Sequence, residues 1–184
     1  MSFEETIALT QTWLREVAQG TVPDAEILTH LREVFQSTEG VRGFFVVFLT
    51  TDLLGETCPE AILQAFVENG PHIAAILVKN LAMSTAMILH HDRQGDDPQK
   101  AGSIQVQQRS ARLLAILEQR GALAFAQERS ALLASLETGT GSYGTFLDRW
   151  GYDSEQRQAI QAALKSIKEF KLDLRSESRS DHPD

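Results

Sequence analysis

The stretch Pro71–Arg93, PHIAAILVKNLAMSTAMILHHDR, decides the fold of this chain. Between Ile73 and Leu89 the polar side chains are Lys79, Asn80, Ser84 and Thr85. On a helix of 3.6 residues per turn these four positions spread over much of the circumference, so no broad face remains for water. A helix that is apolar nearly all round lies in the centre of a protein or in a membrane.

Two features of this stretch favour the centre of a protein. Its apolar part has about 17 residues, whereas a membrane span needs roughly 20. Lys79 also lies near its midpoint, where a charge is unfavourable in lipid. We therefore predict no membrane span, and we predict that residues 71–91, approximately, form the buried central helix of a soluble domain.

The rest of the chain reads as further helices separated by glycine and proline. The last helix is expected to bury an inner stripe at helical spacing, which consists of Ile160, Ala163, Leu164, Ile167 and Phe170 or Lys171. An earlier one continues with the same periodicity through Leu123, Ala126, Leu133 and Leu136. The pattern predicts a single-domain, all-α, multi-helix bundle over residues 1–174, followed by a flexible charged tail over residues 175–184.

One segment, Val41–Gly55, is ambiguous between helix and strand. Its core, Phe44–Leu49, is rich in β-branched and aromatic residues, which favour strands. However, no second run of this kind exists in the chain, and a solitary strand would leave its backbone groups unpaired. Helix is therefore the favoured interpretation.

The charge and the cysteine content of the chain limit the kinds of partner and the cellular compartment that we expect. Asp and Glu number 25 against 17 Lys and Arg, which gives an acidic protein with a net charge of −8. Nucleic-acid binding needs a concentrated positive field, so we predict no nucleic-acid partner. With Cys58 as the only cysteine and no secretory signal at the N-terminus, we expect a cytoplasmic protein.

The segment Gly139–Gly144, GTGSYG, matches the dinucleotide-binding pattern G-x-G-x-x-G. That motif requires a preceding strand and a following helix within a βαβ unit. Here the preceding residues are predicted to be helical, so we interpret the segment as a helix C-cap and a turn.

The best candidates for metal ligands are His90, His91 and Asp92, with Asp96 nearby. Imidazole and carboxylate groups suit zinc, iron or manganese. Adjacent histidines point about 100° apart on a helix, however, and histidines at a helix C-terminus also complement its negative end. We therefore predict no cofactor, and keep a metal as the alternative.

A second candidate site lies on the central helix itself. A lysine on a buried helix must find a carboxylate, reach solvent or line a cavity. Lys79, Asn80 and Ser84, together with Thr85, could form the polar wall of a small-molecule pocket between helices. The alternative is that Lys79 extends to solvent at the rim of the bundle.

The aromatic pair Trp150 and Tyr152 is the candidate partner-binding site. Both could be core or rim residues, but exposed aromatic side chains are common anchors in protein interfaces. We find no catalytic motif and therefore favour a non-catalytic helical protein that binds a protein partner or a second copy of itself. The alternatives are a metal-dependent enzyme at the end of the central helix and a small-molecule-binding helical bundle.

Overall fold

The computed structural model describes residues 3–54 and 58–180, with side chains in the last helix described as far as Ile167. All regular structure in these residues is helical, which confirms the all-α prediction. The helices are α1 (Phe3–Ala18), α2 (Asp24–Val34), α3 (Thr38–Thr50), α4 (Glu60–Glu68), α5 (Gly70–Gln94), α6 (Asp97–Gln119), α7 (Leu123–Thr138), α8 (Gly144–Trp150) and α9 (Ser154–Ser180).

The central helix is present and buried. It is α5, and it extends the predicted span by a residue at its start and by three at its end. Every residue from Ile73 to Leu89 is buried or half-buried. Its hydroxyl groups are satisfied within the helix, because Ser84 and Thr85 donate to the carbonyls of Asn80 and Leu81, each at 2.7 Å. This pairing allows hydroxyl side chains at buried positions of the helix.

The described residues form two compact units, which divide between Ile76 and Leu77 within α5. The prediction of one domain over residues 1–174 remains a prediction. The predicted tail over residues 175–184 also remains one: α9 continues to Ser180, but its side chains beyond Ile167 and the final four residues lie outside the described part.

Five phenylalanine rings form the core of the first unit. Phe66 of α4 lies with its ring centroid 5.5–5.9 Å from four others, those of Phe35, Phe44, Phe45 and Phe48. Phe44 and Phe48 are four residues apart, a spacing that places both on one face of a helix. The ambiguous segment is therefore helical over most of its length, as α3, and the helix interpretation is confirmed.

The second unit packs α6, α7 and α9 around a buried ion pair. Ile160, Leu164 and Ile167 of α9 are fully buried, as predicted, whereas Ala163 is half-buried and the side chains of Phe170 and Lys171 lie outside the described part. On α7 the buried residues are not those that indicated its helical periodicity in the sequence. The buried face carries Phe125, Arg129, Leu132 and Ser135, whereas Leu123 is 72% exposed. Arg129 belongs to this face because its guanidinium group contacts the buried carboxylate of Glu118 on α6.

Candidate functional site

The glycine-rich segment is a turn that begins α8. Gly139 ends α7 in the left-handed conformation, and its backbone N–H donates to the carbonyl of Ser135 at 2.9 Å. Gly141 has φ +101°, and a Cβ there would lie 2.9 Å from the Ser135 hydroxyl. That hydroxyl accepts a hydrogen bond from the backbone N–H of Tyr143 at 3.2 Å. The prediction of a C-cap and turn is therefore confirmed, and the turn places Tyr143 at the start of α8.

Hydrogen bonds hold both the backbone and the side chain of Tyr143. Its side chain is buried, and its hydroxyl donates a hydrogen bond to the carboxylate of Glu128 on α7. Burial, followed by the hydrogen bond and the charge of Glu128, raises the pKa of Tyr143 above its ordinary value. The phenol therefore remains protonated and acts as a donor at neutral pH.

Three aromatic rings and one lysine meet beside α8. The ring centroid of Phe146 lies 6.2 Å from that of Tyr143 and 6.2 Å from that of Tyr152. The Nζ atom of Lys79 on α5 lies 5.7 Å from the centroid of Tyr143 and 5.8 Å from that of Phe146. These are cation–π distances. We call Lys79, Tyr143, Phe146 and Tyr152 the aromatic cluster.

The aromatic cluster contains residues of two sites that were predicted separately from the sequence. Lys79, proposed as part of a pocket, and Tyr152, proposed as a partner anchor, both lie next to Phe146. Asn80 is half-buried, and the Ser84 hydroxyl donates to the Asn80 carbonyl of the same helix. Glu128 and Phe146 were not predicted as members of a site.

The predicted partner anchors differ in exposure. Trp150, the last residue of α8, is 49% exposed. Tyr152, two residues later, is only 8% exposed, and burial raises its pKa to about 12. Gly151 between them adopts φ +58°, which turns the chain and sends the two side chains into different environments. Trp150 is therefore the residue of the pair that a partner can reach.

A shallow groove of about 380 Å³ lies beside Tyr152. The backbone carbonyl of Tyr152 accepts a hydrogen bond from Nε of Arg157 at 3.0 Å, which fixes one wall. The lining residues are Leu136, Tyr152, Ser154, Arg157, Gln158 and Gln161. Lys79, Asn80 and Ser84 are not among them.

The predicted metal ligands lie at the end of α5 and make other contacts. The rings of His90 and His91 meet edge to face, with centroids 5.4 Å apart. Asp92 accepts a hydrogen bond from Lys100, and Asp96 caps α6 by accepting from the backbone N–H of Gln99 at 3.2 Å. Among the side chains that the structure describes, in residues 3–54 and 58–167, no three His, Cys, Asp or Glu groups lie closely enough to hold a metal ion.

In length and composition α5 could also cross a bilayer. Half of its most apolar window of 18 residues is buried within the protein. The core helix of a water-soluble protein can have the same length and the same apolar composition as a membrane span.

Comparison with known proteins gives one match, to a family described as uncharacterised conserved protein UCP020893. No curated protein and no solved structure matches the chain. The family match covers residues 2–167, which is most of the 184 residues and includes the aromatic cluster. The chain belongs to the family of uncharacterised conserved protein UCP020893.

Proposed function

We propose that the chain is a non-catalytic interaction protein that binds a protein partner through Trp150 and the outer face of α8. The observation that carries this proposal is the combination of an exposed tryptophan and a firmly held short helix. Trp150 is 49% exposed, whereas Tyr143 and Leu147 of the same turn and helix are buried.

A tryptophan in this position suits recognition for two physical reasons. Tryptophan offers a large apolar surface with a single polar N–H group, and it is the residue type most enriched among interface hot spots. A side chain on a helix that is already fixed also loses less conformational freedom on binding than one on a mobile loop. Arg149, which is exposed beside it, adds a second residue type that is common in hot spots.

Leu123 provides a matched comparison within the same unit. It is even more exposed, at 72%, but it stands at the first position of α7, immediately after the turn at Gly121 and Ala122. Leucine is under-represented among hot spots, and isolated exposed leucines are normal on protein surfaces. We therefore expect that Leu123 does not contribute to the affinity for a partner.

Site-specific photo-cross-linking tests this proposal. A photoreactive phenylalanine derivative, benzoylphenylalanine, would replace Trp150 in one variant and Leu123 in another, with both produced in the cells from which the sequence comes. We expect a discrete cross-linked species from position 150 and none from position 123. A product of twice the chain mass would identify a second copy, and any other mass a different protein.

Two results would contradict the proposal. One is the absence of any product from position 150, and the other is the same set of products from both positions. Once a partner is identified, we expect Trp150→Ala to weaken binding by at least about 2 kcal/mol, or roughly 30-fold. Leu123→Ala, measured in parallel, should leave the affinity unchanged.

A further inference from the structure

The helix that carries Trp150 depends on tertiary contacts for its position. With seven residues, α8 is far too short to be stable alone, since isolated helices below about 12 residues are marginal in water. Glycines lie at both of its ends, Gly144 at the start and Gly151 in the left-handed conformation after it. Because glycine backbone is conformationally permissive, side-chain contacts at the start of α8 contribute to fixing its direction.

Lys79 contacts two of those inner side chains at once. Its Nζ atom lies 5.7 Å from the centroid of Tyr143, the residue that caps α8, and 5.8 Å from that of Phe146, one turn later. A single cation thus bridges the cap and the body of the helix. Because Lys79 stands on the largely buried helix α5, the cation is presented from a fixed position.

The surroundings of Tyr143 strengthen this attraction. Its hydroxyl donates to the carboxylate of Glu128, and such donation raises the electron density of the ring. A ring richer in electrons attracts a cation more strongly at its face. The backbone N–H of Tyr143 is bound by Ser135, so the ring itself has little freedom to move away from Lys79.

We propose that Lys79 is a positioning residue for Trp150, because its ammonium group, lying over the rings of Tyr143 and Phe146, fixes α8 against the body of the second unit. It is the positive charge, not the length of the side chain, that carries this role. The proposal extends the proposed function, since it names the residue that orients the partner-binding side chain. The effect of Lys79 on the position of α8 can nevertheless be tested without any partner.

Hydrogen exchange of one amide within α8 and of the amide of its C-cap residue measures the effect directly. The backbone N–H groups of Leu147 and Gly151 donate to the carbonyls of Tyr143 and Leu147 at 2.9 and 3.1 Å. In Lys79→Met, which keeps the length and removes the charge, we expect these amides to exchange about tenfold faster, given typical cation–π energies over two rings. In Lys79→Arg, which keeps the charge, we expect near-wild-type rates.

Two controls separate positioning from general destabilisation. The N–H of Gly139, which donates to Ser135 at the end of α7, should keep its wild-type rate in every variant. Lys165→Met removes an exposed lysine from α9 and should change none of the three amides. Unchanged α8 exchange in Lys79→Met would overturn the proposal. Equal acceleration of Gly139 and α8, or a failure of arginine to restore protection, would overturn it as well.

Cross-linking from position 150 tests whether Lys79 also affects partner binding. Lys79→Met should lower the yield of the cross-linked species, and Lys79→Arg should restore it, at an unchanged melting temperature. An unchanged yield in Lys79→Met would refute the link to binding. If the wild-type background gives no cross-linked species, the proposed function fails, while the exchange rates still decide whether Lys79 positions α8.

Discussion

At the scale of single residues, the buried ion pair of Glu118 and Arg129 is the contact whose one-sided removal we expect to be costly. Nε and Nη2 of Arg129 lie 2.6 and 3.1 Å from the two carboxylate oxygens, and the side chains are only 7% and 1% exposed. Removing one partner leaves an uncompensated charge in the interior. We expect Arg129→Met to lower the free energy of unfolding by about 3–5 kcal/mol, as measured by urea denaturation.

Two further variants test the physical reason for that loss. Replacing both partners, as Glu118→Leu with Arg129→Met, should recover most of the stability, because no charge is then buried. The exposed pair of Arg32 and Glu68, at 2.9 Å, serves as the control. Arg32→Met should leave the free energy of unfolding almost unchanged, since water screens surface pairs. Equal losses from the two arginine variants would contradict this account.

His30 makes stability depend on pH. Its ring stacks on Trp13 with centroids 4.5 Å apart, and burial lowers its pKa below the ordinary 6.5, outweighing the opposing charges of Glu33 and Glu26. The unfolded chain therefore binds a proton at a higher pH than the folded protein does. It follows that His30 contributes stability above pH 6.5, and that this contribution is lost as the pH falls from there through the folded-state pKa.

Denaturation of the wild type and of His30→Gln across pH 5–8 isolates this effect from the titration of carboxylates. We expect the wild type to lose more stability than the variant on acidification, so that the difference between their free energies of unfolding changes below pH 6.5 and is constant above it. Parallel curves across the whole range would show that His30 does not contribute.

Residue-scale contacts were only partly accessible from the sequence. Lys79 could be singled out because a charge on a buried helix requires an explanation. Its actual neighbours, Tyr143 and Phe146, lie more than 60 residues later, and no local pattern specifies which of the chain's aromatic residues a given lysine will meet. Arg129 lies four residues after Phe125 and three before Leu132, so it shares their side of α7, but the sequence does not specify that this side is buried.

At the scale of helices, the close approach of α1 and α3 depends on Gly43. A Cβ at this position would lie 2.8 Å from Cβ and 2.9 Å from Cγ2 of Thr6, a β-branched residue that cannot rotate away without strain. We expect Gly43→Ala to lower the free energy of unfolding by about 1–3 kcal/mol through overpacking.

Gly102 is the matched control for that substitution. It lies within α6, and a Cβ there would meet no atom within 4 Å. Because alanine is the better helix former, Gly102→Ala should raise the free energy of unfolding by about 0.5–1 kcal/mol. The two substitutions are chemically identical, so opposite signs in the same denaturation assay would establish the helix contact as the cause. Two changes of the same sign would contradict it.

Helix existence was more predictable than helix orientation. The glycine and proline punctuation located the helices, and the absence of a second strand-like run correctly favoured helix for α3. The buried face of α7 could not be identified because leucine, alanine and phenylalanine occur on all its sides, so periodicity alone does not specify which side is covered. The choice is made by the pairing of Arg129 with Glu118, which is a tertiary contact.

At the scale of the whole molecule, α5 links the fold to the proposed function. Its middle is covered by protein and its polar hydroxyls bond within the helix, while Lys79 extends from it to the aromatic cluster that supports α8. The apolar stretch and its lysine could be identified from the sequence. The residues that pack against them could not.

Hydrogen exchange on protein purified without detergent is the most direct test of whether α5 is a helix covered by protein. We expect the amides of residues 77–89 to exchange more slowly than those of any other segment, because they are both hydrogen-bonded and covered by side chains. Rapid exchange of these amides in buffer, with protection appearing only when lipid vesicles are added, would contradict this expectation and indicate that α5 is covered by lipid.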